Sequence, residues 1–191
     1  SLGDKDIGLH IYRTERLKRG DRASDITKDI AEAFGVKAHI ILPTDDVVQT
    51  KVLTDQGWLT FQEYFVKERC KPLVKEISFD GLDVAKPTHE ALEAISMADL
   101  ILIAPSNPFV SISPILNIPG ILDAIKECDA IKLAVSPLID GKAIKGPAEK
   151  MMVSLGLQAD SMGVAKFYKD LIDAIIIDST DSELVPGINS L

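Results

Sequence analysis

Apolar residues recur along this chain in two rhythms. At three- to four-residue spacing, Ile7, Ile11 and Leu17 face a polar opposite side and predict a helix that stops at Gly20. Ser24-Asp25 reads as the cap of a second helix, with Ile26, Ile30, Ala33 and Phe34 on one side and Gly35 ending it. The apolar run 38–42, closed by Pro43, predicts a buried strand. Residues 48–54 alternate, Asp55-Gln56-Gly57 turns, and Trp58-Leu59 resumes, which predicts a hairpin. Helical spacing returns over 61–69 and alternation over 73–79. A capped helix over 88–97 then feeds directly into a buried strand at 99–103. Beyond a polar loop, 120–128 is helical, 131–135 is a strand, 147–155 is a helix with Pro147 at its first position, and 174–177 is the last apolar run.

Four short apolar runs separated by helices predict parallel strands covered on both faces. The fold class is α/β, a doubly wound, mostly parallel, Rossmann-like sheet with right-handed connections and a small helical and hairpin excursion. The 191 residues fit one domain (1–191), with 44–80 as a small insertion. Ligands of such sheets lie beyond the carboxyl ends of the strands, so the loops after Leu42, Ile103, Val135 and Ile177 are where chemistry is sought.

Composition narrows the partners. At 46% hydrophobic and 26% charged residues a globular core is expected. The formal net charge of -8 disfavours nucleic acid and anionic membranes, and a phosphate-bearing substrate needs a local basic site against that field. Cys70 and Cys128 lack paired spacing, which predicts reduced thiols in a cytoplasmic protein. No apolar run reaches the roughly 20 residues needed to span a bilayer.

Three loops carry candidate chemistry. After Ile103, Ser106, Asn107, Ser111 and Ser113 stand among three prolines; small donors on rigid backbone suit phosphate or ribose oxygens, or cap the next helix. After Val135, Lys142 and Lys145 precede the helix predicted to begin at Pro147, supplying a local basic site for a phosphate or an ordinary solvated turn. After Leu42, Thr44-Asp45-Asp46 offers adjacent carboxylates that suit Mg²⁺, a helix cap or hydrogen bonds to a heterocycle. Phe61, Tyr64 and Phe65, beside Glu63 and just after Trp58, form either a stacking surface for a flat ring or the core face of a helix. There is no GxGxxG, Walker loop or GxSxG elbow, and His10, His39 and His89 lack zinc spacing.

These loops resemble a known family. Ser106-Asn107-Pro108, Ser111-Ile112-Ser113-Pro114-Ile115-Leu116 and Ile118-Pro119-Gly120-Ile121 are similar to the signature of the 2-phospho-L-lactate transferases. So are Ala134-Val135-Ser136-Pro137, Gly141-Lys142-Ala143-Ile144-Lys145-Gly146-Pro147-Ala148 and Lys150-Met151-Met152. The likeness extends to Leu2-Gly3-Asp4-Lys5-Asp6, Asp45-Asp46, Thr54-Asp55-Gln56-Gly57-Trp58, Phe61-Gln62-Glu63-Tyr64-Phe65-Val66, Tyr168, Asp170-Leu171, Asp173 and Ile177-Asp178 with Asp181.

The resemblance implies an enzyme of coenzyme F420 biosynthesis that passes 2-phospho-L-lactate, or phosphoenolpyruvate, from a guanylylated donor to the deazaflavin Fo. GMP is released, Mg²⁺ assists, and the enzyme is a homodimer. It implies that Ser106, Asn107, Ser111 and Ser113 hold the donor's phosphate or nucleotide and that Lys142 and Lys145 steady its charge. Thr44, Asp45, Asp46, Phe61, Glu63 and Tyr64 would face the acceptor, with Asp45 and Asp46 as metal candidates and 44–80 as the acceptor-binding insertion. The family also begins with a strand, a glycine-rich turn and an acidic segment that these residues do not contain; activity is expected of a chain that includes them and not of one without them. A related family of nucleotide-sugar-binding regulators resembles Gly-Pro-Gly-Ser where this chain has Pro105-Ser106-Asn107-Pro108, and lacks a close match to 58–66, so the transferases are favoured.

Overall fold

The computed structural model describes residues 3–143 and 146–191. Helices α1 (Asp4–Lys18) and α2 (Ala23–Ala33) form a hairpin in which Arg16 bridges Asp21 and Asp29. An antiparallel sheet of order β2-β1-β3 follows, built from β1 (Gln49–Thr54), β2 (Gly57–Thr60) and β3 (Val74–Asp80). Helix α3 (His89–Ser96) leads into β4 (Leu100–Ile103), and α4 (Ser113–Leu116) and α5 (Ile121–Glu127) lead into β5 (Ile131–Val135). The hairpin β6 (Leu138–Ile139) and β7 (Lys142–Ala143), then α6 (Ala148–Ser154) and α7 (Ser161–Tyr168), precede β8 (Ala174–Ile176). A 3₁₀ helix (Ser179–Leu184) and α8 (Val185–Ile188) close the described chain.

Strands β4, β5 and β8 pair in parallel in that order, so the expected α/β class with a parallel sheet is present. The inward residues Ile103 and Ala134 join Val52, Tyr64 and Val74 of the antiparallel region, and Phe109, Leu138, Met151, Met152, Val164 and Tyr168, in one core. A second cluster of Ala91, Ile118, Ile121 and Ile125 packs α3 and α5 against Ile101. On the opposite face Leu100, Leu102, Ile131 and Ile176 are about half exposed among the described residues.

Several expectations need correction. Residues 38–42 form no strand; Ile40 and Ile41 are 49% and 41% exposed. Apolar composition favours burial, but a strand exists only where its amides pair with a neighbour, and among the described residues 38–42 pairs with no strand. The segment is fastened instead at its end, where the Thr88 hydroxyl and amide donate to the carbonyls of Leu42 (2.6 Å) and Pro43 (3.0 Å). Ser24 is not the cap of α2, which starts after Arg22; it donates to Asp45. Pro147 is the residue before α6 rather than its first. The helix expected over 61–69 runs over 61–67, its last five residues (Glu63–Lys67) wound as a π-helix, and is ended by Arg69 and Cys70 at φ 52° and 55°. Helices α4, α7 and α8 were not legible in the hydrophobic pattern. The expectation for 88–97 holds: the Thr88 hydroxyl accepts from the Ala91 amide at 3.1 Å and caps α3.

Candidate functional site

The loops after β4 and β5 leave adjacent, parallel strands whose ends pair at Ile103 and Ala134, so they start side by side. After β4, Asn107 caps a second π-helix (Pro108–Ile112), its side-chain oxygen accepting from the amides of Phe109 (2.9 Å) and Val110 (3.4 Å). Its amide nitrogen reaches the Met151 sulfur of α6 at 3.3 Å. The Ser113 hydroxyl donates to the Pro108 carbonyl at 2.8 Å. Thus Asn107 and Ser113 shape the loop. The hydroxyls of half-buried Ser106 and exposed Ser111 make no hydrogen bond among the described residues and stay available. A π-helix is a rare conformation that recurs at functional sites.

After β5, Asp140 and Gly141 make the two-residue turn joining β6 to β7, with φ of 50° and 67° as a type I′ hairpin requires. Lys142 follows at once, exposed and without an ion pair among the described residues. Lys145 lies outside the described residues. Helix α6 is only seven residues long, so Lys142's full charge is the main basic element of this loop among the described residues. β7 packs on α6 and α6 on the π-helix after β4, which links the serine–asparagine turn to the lysine hairpin.

A buried polar cluster stands behind this edge. The Asp181 carboxylate, which follows β8, accepts from the Ser161 hydroxyl at 2.8 Å and from the Asp140 amide at 3.1 Å. The Ser161 hydroxyl lies 3.0 Å from that of Ser136, the first residue after β5, and Ser136 also takes the Leu138 amide at 3.2 Å. Gly163 seats this end of α7 closely: a Cβ there would lie 1.8 Å from the Gln158 carbonyl oxygen. Hydrophobic patterning gives Ser161 and Asp181 no role; the signal for Asp181 is its place just beyond the last apolar strand.

The residues expected to face an acceptor are engaged otherwise. The Thr44 hydroxyl donates to the Lys86 carbonyl at 2.6 Å and accepts from the Asp46 amide at 3.1 Å. Asp45 accepts from the Ser24 amide and hydroxyl, both at 2.7 Å, and from Arg22 at 2.8 Å. Partial burial disfavours its charge, yet these bonds from Ser24 and Arg22 hold the carboxyl below its ordinary range. Asp46 accepts from the Lys86 amide at 2.8 Å. With Asp45 already paired to a guanidinium and no cluster of three His, Cys, Asp or Glu placed to hold a metal among the described residues, this pair does not fit a Mg²⁺ site.

Glu63 closes a capping box: its carboxylate accepts from the Thr60 amide (2.9 Å) and hydroxyl (2.8 Å), while the Glu63 amide donates back to Thr60. Tyr64 is 0% exposed, and burial pushes its phenol up to about 12; its ring presents no face to a ligand. Half-buried Phe61 stacks on Phe65 at 5.6 Å, so the exposed aromatic surface here belongs to Phe65 and Trp58. Lys150 of α6 donates to the Cys70 carbonyl, and at 2.6 Å to that of Lys71, tying this region to α6. Cys70 and Cys128 are free. No single described helix is long and apolar enough to cross a membrane.

The class defined here is an α/β protein that offers free hydroxyls and a lysine hairpin at neighbouring ends of a parallel sheet. The family profile described as "2-phospho-L-lactate transferase CofD" matches residues 2–186, and the chain belongs to that family. It is 37% identical to the 2-phospho-L-lactate transferase of Methanocaldococcus jannaschii over 98% of this chain and 61% of that protein. It is 38% identical to that of Methanosarcina acetivorans over 94% of this chain and 58% of that protein. The chain therefore spans about three fifths of the length of the curated relatives it matches. A UPF0052-family protein from Bacillus halodurans shares the fold with a TM-score of 0.57 at 20% identity, over 96% of this chain and 63% of that one.

Proposed function

We propose that this chain carries the donor-handling edge of a 2-phospho-L-lactate transferase of coenzyme F420 biosynthesis. In the reaction, a ribityl hydroxyl oxygen of the deazaflavin Fo attacks the phosphorus of the phospho-acid held in its guanylylated donor. A new P–O bond forms, the bond to GMP breaks, and the hydroxyl proton passes to solvent. Ser106 and Ser111 would donate to phosphate oxygens, Asn107 would keep their loop in shape, and Lys142 would offset the negative charge. In such transfers the protein chiefly positions reactants and neutralises charge. Mg²⁺ would serve the same end, while Asp45 and Asp46 are engaged by Arg22, Ser24 and the Lys86 amide.

The observation that carries this reading is the family match over residues 2–186, combined with hydroxyls and a lysine that have no partner among the described residues, on the loops that leave adjacent strand ends. Fo's own fluorescence tests it. Fo is titrated into the protein, the guanylylated phospholactate and Mg²⁺ are added, and GMP is assayed. GMP release that requires Fo is expected of a protein that includes the remaining family length. Binding of a UDP-sugar without binding of Fo would overturn the reading.

A further inference from the structure

Three segments distant in sequence meet at the buried cluster behind the lysine hairpin: Ser136 after β5, Ser161 at the start of α7 and Asp181 after β8. Ser161 and Asp181 are 0% and 5% exposed, and no cation pairs with Asp181 among the described residues. An ionised group so buried is costly unless donors surround it. Here the donors are the Ser161 hydroxyl and the Asp140 amide. The second is informative, because Asp140 holds a left-handed conformation that L side chains rarely adopt, one residue from the glycine that completes the turn before Lys142.

We propose that Asp181 is a positioning residue for Lys142. Through the Asp140 amide it pins the β6–β7 turn, and through Ser161 and Ser136 it fixes that turn to the end of β5. Lys142 then projects from a hairpin already set, and a bound anion need not order it. At 5% exposure Asp181 offers almost no surface to a substrate and acts through the hairpin. The inference rests on the donor role proposed above for Lys142.

The test pairs two readouts on the same protein: calorimetric affinity for inorganic pyrophosphate, and amide hydrogen exchange over 138–143. Asp181→Ala is expected to weaken pyrophosphate at least tenfold and to speed exchange across the hairpin. Asp181→Asn keeps an acceptor for the Asp140 amide and is expected to stay within threefold of the parent. Combining Asp181→Ala with Lys142→Ala should bind no more weakly than Lys142→Ala alone, since both act through one ammonium. Parent-like affinity in Asp181→Ala beside weak binding in Lys142→Ala would overturn the inference, as would losses that multiply in the double variant. Should Asp181→Ala fail to fold, Ser161→Ala replaces it: a threefold or larger loss with faster exchange supports the role, and no change refutes it. If Lys142→Ala binds like the parent, or the parent does not bind pyrophosphate, the donor reading fails on its own. The exchange data then still decide whether Asp181 sets the hairpin.

Discussion

The edge beyond β4 and β5 and the stretch from Thr44 through Cys70 both carry polar and aromatic residues suited to binding, and they spend them differently. At the strand-end edge, Asn107, Ser113, Ser136 and Asp181 consume their hydrogen bonds in shaping loops, leaving Ser106, Ser111 and Lys142 unspent. From Thr44 to Cys70, the polar groups singled out by sequence are turned inward: Asp45 to Arg22 and Ser24, Asp46 to Lys86, Glu63 to Thr60. A polar residue binds a ligand cheaply only if it need not first give up a partner of its own. On the reading proposed above, recognition falls to the first region and framework to the second.

The largest expected effect tests the framework half. Tyr64 lies fully buried between the antiparallel sheet and the main core, so Tyr64→Ala should cost about 3–5 kcal/mol, as for other large-to-small aromatic core changes. Its hydroxyl has no hydrogen-bond partner among the described residues, so Tyr64→Phe should unfold at the parent's urea midpoint or slightly above it. A stable Tyr64→Ala protein that has lost only Fo binding would return Tyr64 to the acceptor site and undo the contrast.

Next comes the recognition half. Lys142→Ala should weaken pyrophosphate or the guanylylated donor tenfold or more, about 1.4 kcal/mol, while moving the thermal midpoint little, because the side chain is exposed and makes no ion pair among the described residues. The reverse pattern, lost stability with intact affinity, would make the hairpin framework as well.

How much of this was legible depended on which kind of signal a residue gives. The strands at 100–103, 131–135 and 174–176 announced themselves because parallel strands buried on one or both faces are short apolar runs, and Thr88 announced α3 through its capping chemistry. The run 38–42 gave the same apolar signal and misled, since composition reports a tendency to be buried and not the presence of a pairing partner. Asp45 and Asp46 looked like a metal pair in one dimension; only the fold brings Arg22, Ser24 and the Lys86 amide to them. Asp181 was marked by the family likeness and by its loop after Ile177, but its partner Ser161 was out of reach for the same reason, being joined to it across 20 residues by a bond no local pattern encodes. The left-handed pair Arg69 and Cys70 has no glycine to mark it, and Lys150, which holds that turn, is 80 positions from Cys70.

A smaller effect sharpens the reading of Asp45 through its titration. Its folded value lies below the unfolded one, so its contribution is fully present above the unfolded carboxyl range, near pH 4, and is lost as pH falls through the folded value. Asp45→Asn should therefore lower stability at pH 7 by on the order of 1 kcal/mol after allowance for solvent screening, roughly 2–4 °C in Tm. The gap to the parent should narrow steadily in acid. A gap independent of pH would show that the carboxylate's charge does not matter there.

The smallest change separates cap from contact at Glu63. In the capping box the Thr60 amide and hydroxyl need an acceptor, which a glutamine oxygen supplies as well as a carboxylate does. The carboxyl of Glu63 lies below its ordinary range because the Thr60 amide and hydroxyl donate to it, so only that charge preference disappears on substitution. Glu63→Gln should leave Fo affinity within experimental error and shift Tm barely at all, whereas Glu63→Ala should lower Tm by unfastening the turn from β2 into the π-helix. If Gln lowers Fo affinity as much as Ala does, the negative charge itself meets the ligand, and the stretch from Thr44 to Cys70 binds as well as supports.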